Sequence, residues 1–212
     1  MNNMEKCVIY GAGTYGEVYA SYLKDQYNVL GFIDDNPLLI GKKVSKYPIL
    51  GNSEFLFSKL DRTISVFVPI GNNQIRVSLL EKINQEGFST PSFIHSETLI
   101  HHSVSIGNGV YILPSTNIMP FTSISDYSMI SMGVNIAHHV IIEKGCFFSQ
   151  GVNIGASINI KEQAYFGIGS ILMTGVSNVG KKTMIGAGAV IIKDVPDGAV
   201  VVGNPGRIIR YN

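Results

Sequence analysis

Residues 129–148 read MISMGVNIAHHVIIEKGCFF. Large apolar side chains stand at Ile130, Ile136, Ile142 and Phe148, six apart, and four residues after each of the first three comes a small or β-branched one: Val134, Val140 and Cys146. Six is neither the 3.6 of a helix nor the 2 of an isolated strand. Followed in both directions, the period holds at thirteen consecutive positions from Ile100 to Leu172, with the companion series running from Val104 to Val176. It resumes one residue out of phase at Val179, Ile185 and Ile191, which predicts a one-residue insertion near Ser177 and Asn178.

A hexapeptide period predicts a parallel β-helix, in which each short strand sends one large side chain inward and then turns a corner. Three hexapeptides close a coil, so residues 18 apart stack roughly 4.8 Å apart along the axis. Asn117, Asn135 and Asn153 obey that spacing and are expected to stack as a ladder at one corner, as turn residues that tolerate the left-handed conformation. In the same register Ile136 points inward and Ala137, His138 and His139 form an outward-facing corner, with Ala156 and Ser157 one coil on and Pro120 and Phe121 one coil back. Histidine takes up a proton near neutrality, so an exposed pair at a corner is a candidate for base catalysis.

Upstream the texture is different. Residues 5–33 read as a βαβ unit: KCVIY a strand, GAGTYG a turn, EVYASYLKDQ a helix, and NVLGFI a second strand ending at Asp34 and Asp35. A third strand, ISVFVPI, runs into Gly71, Asn72 and Asn73 and an amphipathic helix. We expect an α/β Rossmann-like domain over residues 1–93, truncated at about three strands, and a β-helix with a C-terminal cap over 94–212. Gly11, Gly13 and Gly16 form GxGxxG between strand and helix, where backbone amides and a helix N-terminus hold phosphate. The ligand is then a dinucleotide or a nucleotide diphosphate, unless the glycines only make a turn; no dehydrogenase domain follows. Asp34, Asp35 and Asn36 after the second strand, and Asn72 and Asn73 after the third, stand where open α/β sheets place ligands, the alternative being polar turns.

A net charge of +1 with 15% charged residues gives no electrostatic footprint for nucleic acid or an anionic membrane. No apolar run approaches the ~18 residues of a membrane span. Cys7 and Cys146 lie in apolar β-like runs without metal-ligand spacing, read as buried thiols of a cytoplasmic protein. His102 and His138 stack two coils apart, roughly 9.6 Å, too far to share a metal, and none is expected.

Together YGAGTYG, GFIDDN, IGNNQIR, the hexapeptides and the closing IGAGAVIIKDVPDGAVVVGNPGR resemble the left-handed β-helix sugar acetyltransferases, which include N-acetyltransferases of nucleotide-linked 4-amino sugars and sialic acid O-acetyltransferases. The resemblance implies a left-handed β-helix, a homotrimer, acetyl-CoA along the β-helix between subunits, and a nucleotide sugar, expected to be UDP-linked, on the N-terminal domain. Carried onto matching positions, it implies substrate contacts from Gly13, Thr14 and Tyr15 beside Gly11, with uridine contacts from Asp34, Asp35 and Asn36. It assigns His138 as general base, the Ala156 amide as donor to the thioester oxygen, and Ile168 and Ala187 as coenzyme contacts. Tyr15 stands where the family often has His, Phe147 where a second His often touches the coenzyme, and His139 where an acidic residue usually follows the base. The chemistry expected is N-acetylation of a nucleotide-linked amino sugar; O-acetylation of a sialic acid, or nucleotide-sugar binding without catalysis, are the alternatives.

Overall fold

The computed structural model describes residues 4–212, which divide into two compact units, one ending at Pro91 and the other beginning at Ser92. This division falls two residues before the one drawn from sequence texture, because Phe93 and Ile94 already pair in parallel with Tyr111 and Ile112 as a first rung.

In the N-terminal unit β1 (Lys6–Tyr10), β2 (Asn28–Ile33), β3 (Lys43–Val44), β4 (Tyr47–Gly51) and β5 (Ser65–Phe67) form one sheet in the order β3-β4-β2-β1-β5. All pairs are parallel except β3 with β4. The interior strand β1 is apolar on both faces, with Cys7, Val8 and Ile9 fully buried, as a strand flanked on both sides by parallel neighbours must be. Helices α1 (Thr14–Leu23), α2 (Ser53–Lys59) and α3 (Asn73–Gln85) complete the unit. The short β3 and β4 and helix α2 escape the three-strand reading, since the Pro in KYPILG argues against a strand. The chain leaves β1 toward β2 and β4, then returns to the other side of β1 as β5. That reversal opens a crevice at the C-terminal ends of β1 and β5, the place where such sheets bind ligands.

The C-terminal unit is a left-handed β-helix whose coils are built of two-residue strands stacked into three sheets of six, five and eight strands, the eight counting two longer strands at the C-terminal end. Partners are 18 apart from Leu99↔Asn117 through Asn153↔Ile171, and 19 apart at Asn159↔Asn178, Tyr165↔Met184 and Ile171↔Val190. The inserted residue therefore lies in the corner 173–177, where Gly175 takes a φ of +106°. Ile118, Ile124, Ile130, Ile136 and Ile142 are at most 2% exposed and form the interior stack, and the Phe148 ring lies flat on Phe166 with centroids 4.7 Å apart. The third residue of each corner is left-handed, at Gly109, Ser115, Phe121, Tyr127, Gly133, His139 and onward every six to Gly169. Strand Ala199–Val202 extends the eight-stranded sheet, and Arg207–Tyr211 closes its edge in antiparallel fashion.

The asparagine ladder exists, but on a wall and not at a corner. Asn117 Nδ2 donates to Asn135 Oδ1 at 2.9 Å, and Asn135 Nδ2 to Asn153 Oδ1 at 3.0 Å. Each asparagine opens a strand, and the left-handed residues are Ser115, Gly133 and Gly151, two positions earlier. An outward strand side chain in exact coil register reaches its counterpart, which gives asparagine a reason to recur without any turn. Both cysteines are buried free thiols; burial, with help from Glu5, pushes the Cys7 thiol up to about 12, so it stays a neutral apolar group. Among the described residues no helix is long and apolar enough to cross a membrane.

Candidate active site

The residues singled out from the sequence gather in two places, one per unit. In the β-helix, the corner 137–139 joins the strand Asn135–Ile136 on the ladder wall to Ile141–Ile142 on the next. Its backbone is pinned from both sides: the His139 amide donates to Pro120 O at 3.2 Å, and Ser157 N donates to His138 O at 3.0 Å. Both imidazoles are exposed in the single chain, their planes perpendicular and their Nδ1 atoms 3.0 Å apart. Phe121, one coil back, supports the His139 ring at a centroid distance of 4.9 Å.

One coil on from His138, the Ala156 amide donates to Thr174 Oγ1, which belongs to the following coil, over a long 3.3 Å. The amide read as an oxyanion donor is thus held by a hydroxyl that can rotate away. Beside it a groove of about 350 Å³ runs over the ladder wall, lined by Asn135, Ala137, Asn153, Gly155 and Thr174 among others. Gly155 is required there, since a Cβ would lie 2.5 Å from Thr174 N. At the opposite edge of the same wall, in the corners that precede Ile171 and Val190, stand Ile168 and Ala187, both exposed; their coils are tied by Gly188 N donating to Ile168 O at 2.8 Å. His138, Ala156, Ile168 and Ala187 therefore border one surface.

Phe147 does not join them. It belongs to the eight-stranded sheet, is 2% exposed, and stacks flat on Tyr165 with centroids 5.1 Å apart, so its ring presents no face to a coenzyme on the ladder wall. Among the described residues no group of three or more His, Cys, Asp or Glu is arranged to hold a metal ion.

In the N-terminal unit a cavity of about 520 Å³ opens at the strand ends, lined by Tyr10, Gly11, Asp34, Asp35, Ile70 and Ser78 among others. Gly11 has a φ of +103°, and a Cβ on Gly16 would stand 2.0 Å from Gly11 O, so the loop and α1 pack as closely as the glycine pattern predicts. Gly13 is the N-cap of α1 and offers no side-chain cap. Thr14 is exposed and Tyr15 half-buried on that first turn.

Asp34, Asp35 and Asn36 are placed at this mouth but are first of all fasteners. Asp34 accepts from Ala12 N and Asn36 N, both at 2.8 Å, tying the glycine loop to the end of β2. Asp35 accepts from the Tyr10 hydroxyl and from Ser53 N. Burial alone would raise its pKa, yet the Tyr10 and Ser53 donors outweigh burial and hold the carboxyl below the usual carboxylate range. The Tyr10 hydroxyl is pushed the other way by burial and by Asp35. Asn36 caps the short turn at Leu38, and Asn72 caps α3 through Ile75 N at 3.0 Å. Asn73 Oδ1 accepts from Arg76 Nη2 at 2.8 Å while Nη1 donates to Ile70 O, with Arg76 fully buried.

Sequence reading missed Tyr10, Ser53, Arg76 and Thr174. Arg76 had a visible signal, because it shares the face of α3 with buried Leu80 and Ile83 at helical spacing. Thr174 lies 18 after Ala156 and was open to the same counting that paired Ala156 with His138.

Residues 6–83 match the family described as the PglD N-terminal domain. The chain is 32% identical over 216 residues, 95% of each chain, to GDP-perosamine N-acetyltransferase of Escherichia coli. It superposes on PerB from Caulobacter crescentus, solved in complex with CoA and GDP-perosamine, with a TM-score of 0.89 and 27% identity over 97% of each chain. It is also similar to the acetyltransferase domain of PglB from Neisseria gonorrhoeae, TM-score 0.90 and 27% identity over 97% of this chain and 100% of that one.

Proposed function

Since the chain belongs to the left-handed β-helix sugar N-acetyltransferases, and is therefore an acetyltransferase that uses acetyl-CoA, we propose that it acetylates the amino group of a GDP-linked amino sugar of the perosamine kind. The observation that carries the reaction is the alignment of the His138 corner and the Ala156 amide beside one groove on the ladder wall. Guanosine takes the place of the uridine expected from sequence because the relative matched over 95% of the chain, and the PerB complex, both name GDP-perosamine.

Acetyl-CoA supplies an acetyl thioester. The chain's own groups do the rest. His138 Nε2 takes the proton of the attacking amine; its Nδ1 faces His139 and is not the base. The Ala156 N–H exchanges Thr174 Oγ1 for the thioester oxygen, on which negative charge develops as the amine attacks and from which it leaves as the C–S bond breaks, the coenzyme departing as a thiol that takes the proton held by His138. Ile168 and Ala187 flank the coenzyme further along the wall. In the N-terminal unit the glycine loop, with Gly11, Gly13 and Thr14 at the start of α1, receives the diphosphate, and Asn72 and Asn73 open α3, whose Gln74, Ile75 and Ser78 line the same cavity. Tyr15 contacts the sugar, while Asp34, Asp35 and Asn36 position the loop that meets the nucleoside. A homotrimer closes the groove, since an exposed imidazole needs a second wall to exclude water.

The test is a thiol-release assay with acetyl-CoA against GDP-, UDP- and dTDP-linked amino sugars and free sialic acid, for wild type and His138→Ala. We expect turnover with the GDP sugar and a loss in kcat of about 10²–10⁴ in the variant. Wild-type turnover by His138→Ala removes the base assignment. Acetylation of sialic acid alone changes the acceptor, and absence of thiol release with retained nucleotide-sugar binding leaves a binding protein.

A further inference from the structure

We propose that His139 is a positioning residue that fixes the tautomer of His138, doing with a neutral imidazole what a carboxylate would do at that place. The inference rests on His138 being the base. Two Nδ1 atoms 3.0 Å apart can share only one proton, so one ring donates and the other accepts. If His138 carries the proton on Nδ1, its Nε2 lone pair is bare and able to take a proton from the acceptor amine. If His139 carries it, His138 is protonated on Nε2 and is no base at all. Which nitrogen of a histidine is protonated is set by the hydrogen bond that the other makes.

The surroundings hold the His139 ring in place beside His138. Its backbone is anchored to Pro120 O, its ring rests against Phe121, and its φ of +57° is the left-handed corner value shared with Gln163 and Lys182. The corner is therefore the ordinary one of this β-helix, and nothing in the fold demands histidine there. The coils on either side present Met119, Pro120 and Phe121, and Gly155, Ala156 and Ser157, none of them titratable; the next titratable groups on this corner are His101 and His102, two coils back. During the reaction the amine proton moves to His138 Nε2, and the imidazolium keeps its Nδ1–H bonded to His139.

The experiment compares wild type with His139→Gly, which suits the left-handed corner and removes the acceptor, and with His139→Glu, which supplies a charged acceptor at a position where Gln and Lys already occur. Readouts are the pH profile of kcat/KM, kcat and KM for each substrate, and the His138 tautomer by ¹⁵N NMR of the ring. We expect wild-type His138 to carry its proton on Nδ1. His139→Gly should lose kcat by roughly ten- to a hundredfold, the scale on which partners of a working imidazole act, with both KM values kept. His139→Glu should regain most of the rate and move the acid limb to higher pH, because a carboxylate stabilises the imidazolium. A wild-type Nε2–H tautomer, an unchanged His139→Gly profile, or an acid limb in His139→Glu no higher than in His139→Gly each overturns the inference. If His138→Ala is inactive while His139→Gly is not, only this inference fails; if His138→Ala is active, the base assignment fails first.

Discussion

His138 and Asp35 stand at sites built in opposite ways. The corner of His138 is held by bonds that recur at most corners of the β-helix: an amide to a carbonyl one coil back, a carbonyl from an amide one coil on, and a left-handed third residue. The loop of Asp35 is held by contacts that occur once, to Tyr10 across β1 and β2 and to Ser53 at the start of α2. The first site draws its geometry from stacking, so it should respond to a defect in a neighbouring coil. The second draws it from individual polar bonds, so its failures should be local and pH-dependent.

The largest break comes from Phe148→Ala. The side chain is fully buried and stacked on Phe166, and its removal should cost about 3–5 kcal/mol. Because each coil contacts only its neighbours, the loss should spread along the axis. Amide hydrogen exchange should accelerate through the strands from Leu99–Ile100 to Val190–Ile191 and leave β1, β2 and β5 protected. Acceleration confined to residues 147–149 would remove the contrast between the two units.

Asp35→Asn probes the other side with a smaller effect. The KM for nucleotide sugar should rise severalfold as the loop loosens, while that for acetyl-CoA stays fixed, a split that initial-rate kinetics reads directly. Asp35 has its folded pKa lowered by Tyr10 and Ser53, against the burial that raises it. Its contribution is thus fully present above the unfolded value of about 3.9 and disappears as pH falls through the folded value. The difference in denaturant midpoint between wild type and Asp35→Asn should therefore be seen at pH 7 and vanish at strongly acid pH. A difference that persists there would mean that shape, not charge, holds the loop.

The same contrast explains what was legible in the sequence. Counting by six places Ile136 inside, His138 and His139 at a corner, and Ala156 one coil on, because the β-helix converts position along the chain into position in space. Register is silent at Phe147, which the resemblance alone set beside the coenzyme: it gives the wall but not whether an outward ring lies open or packs on Tyr165. In the N-terminal unit GxGxxG marked the loop, since glycine at 11 and 16 answers to local geometry. Asp34 and Asp35 were legible as polar residues at a strand end, not as fasteners: apart from Asn36, their donors, Ala12, Tyr10 and Ser53, lie 18 to 25 residues away with no period to relate them.

The asparagine ladder gives the smallest and most discriminating effect, because it is a periodic feature made of polar bonds on the wall that carries the groove. Asn135→Ala removes one bond accepted from Asn117 and one donated to Asn153, in a side chain that water reaches. Solvent replaces exposed hydrogen bonds at little net cost, so stability should fall by only about 1 kcal/mol. The functional effect should be larger in proportion: Asn117 and Asn153 lose their shared partner along the groove, and KM for acetyl-CoA should rise severalfold with KM for nucleotide sugar unchanged. That is the mirror image of the Asp35→Asn split. If Asn135→Ala instead raises the KM for nucleotide sugar, the coenzyme does not lie along the ladder wall, and the assignment of the groove moves to another face of the β-helix.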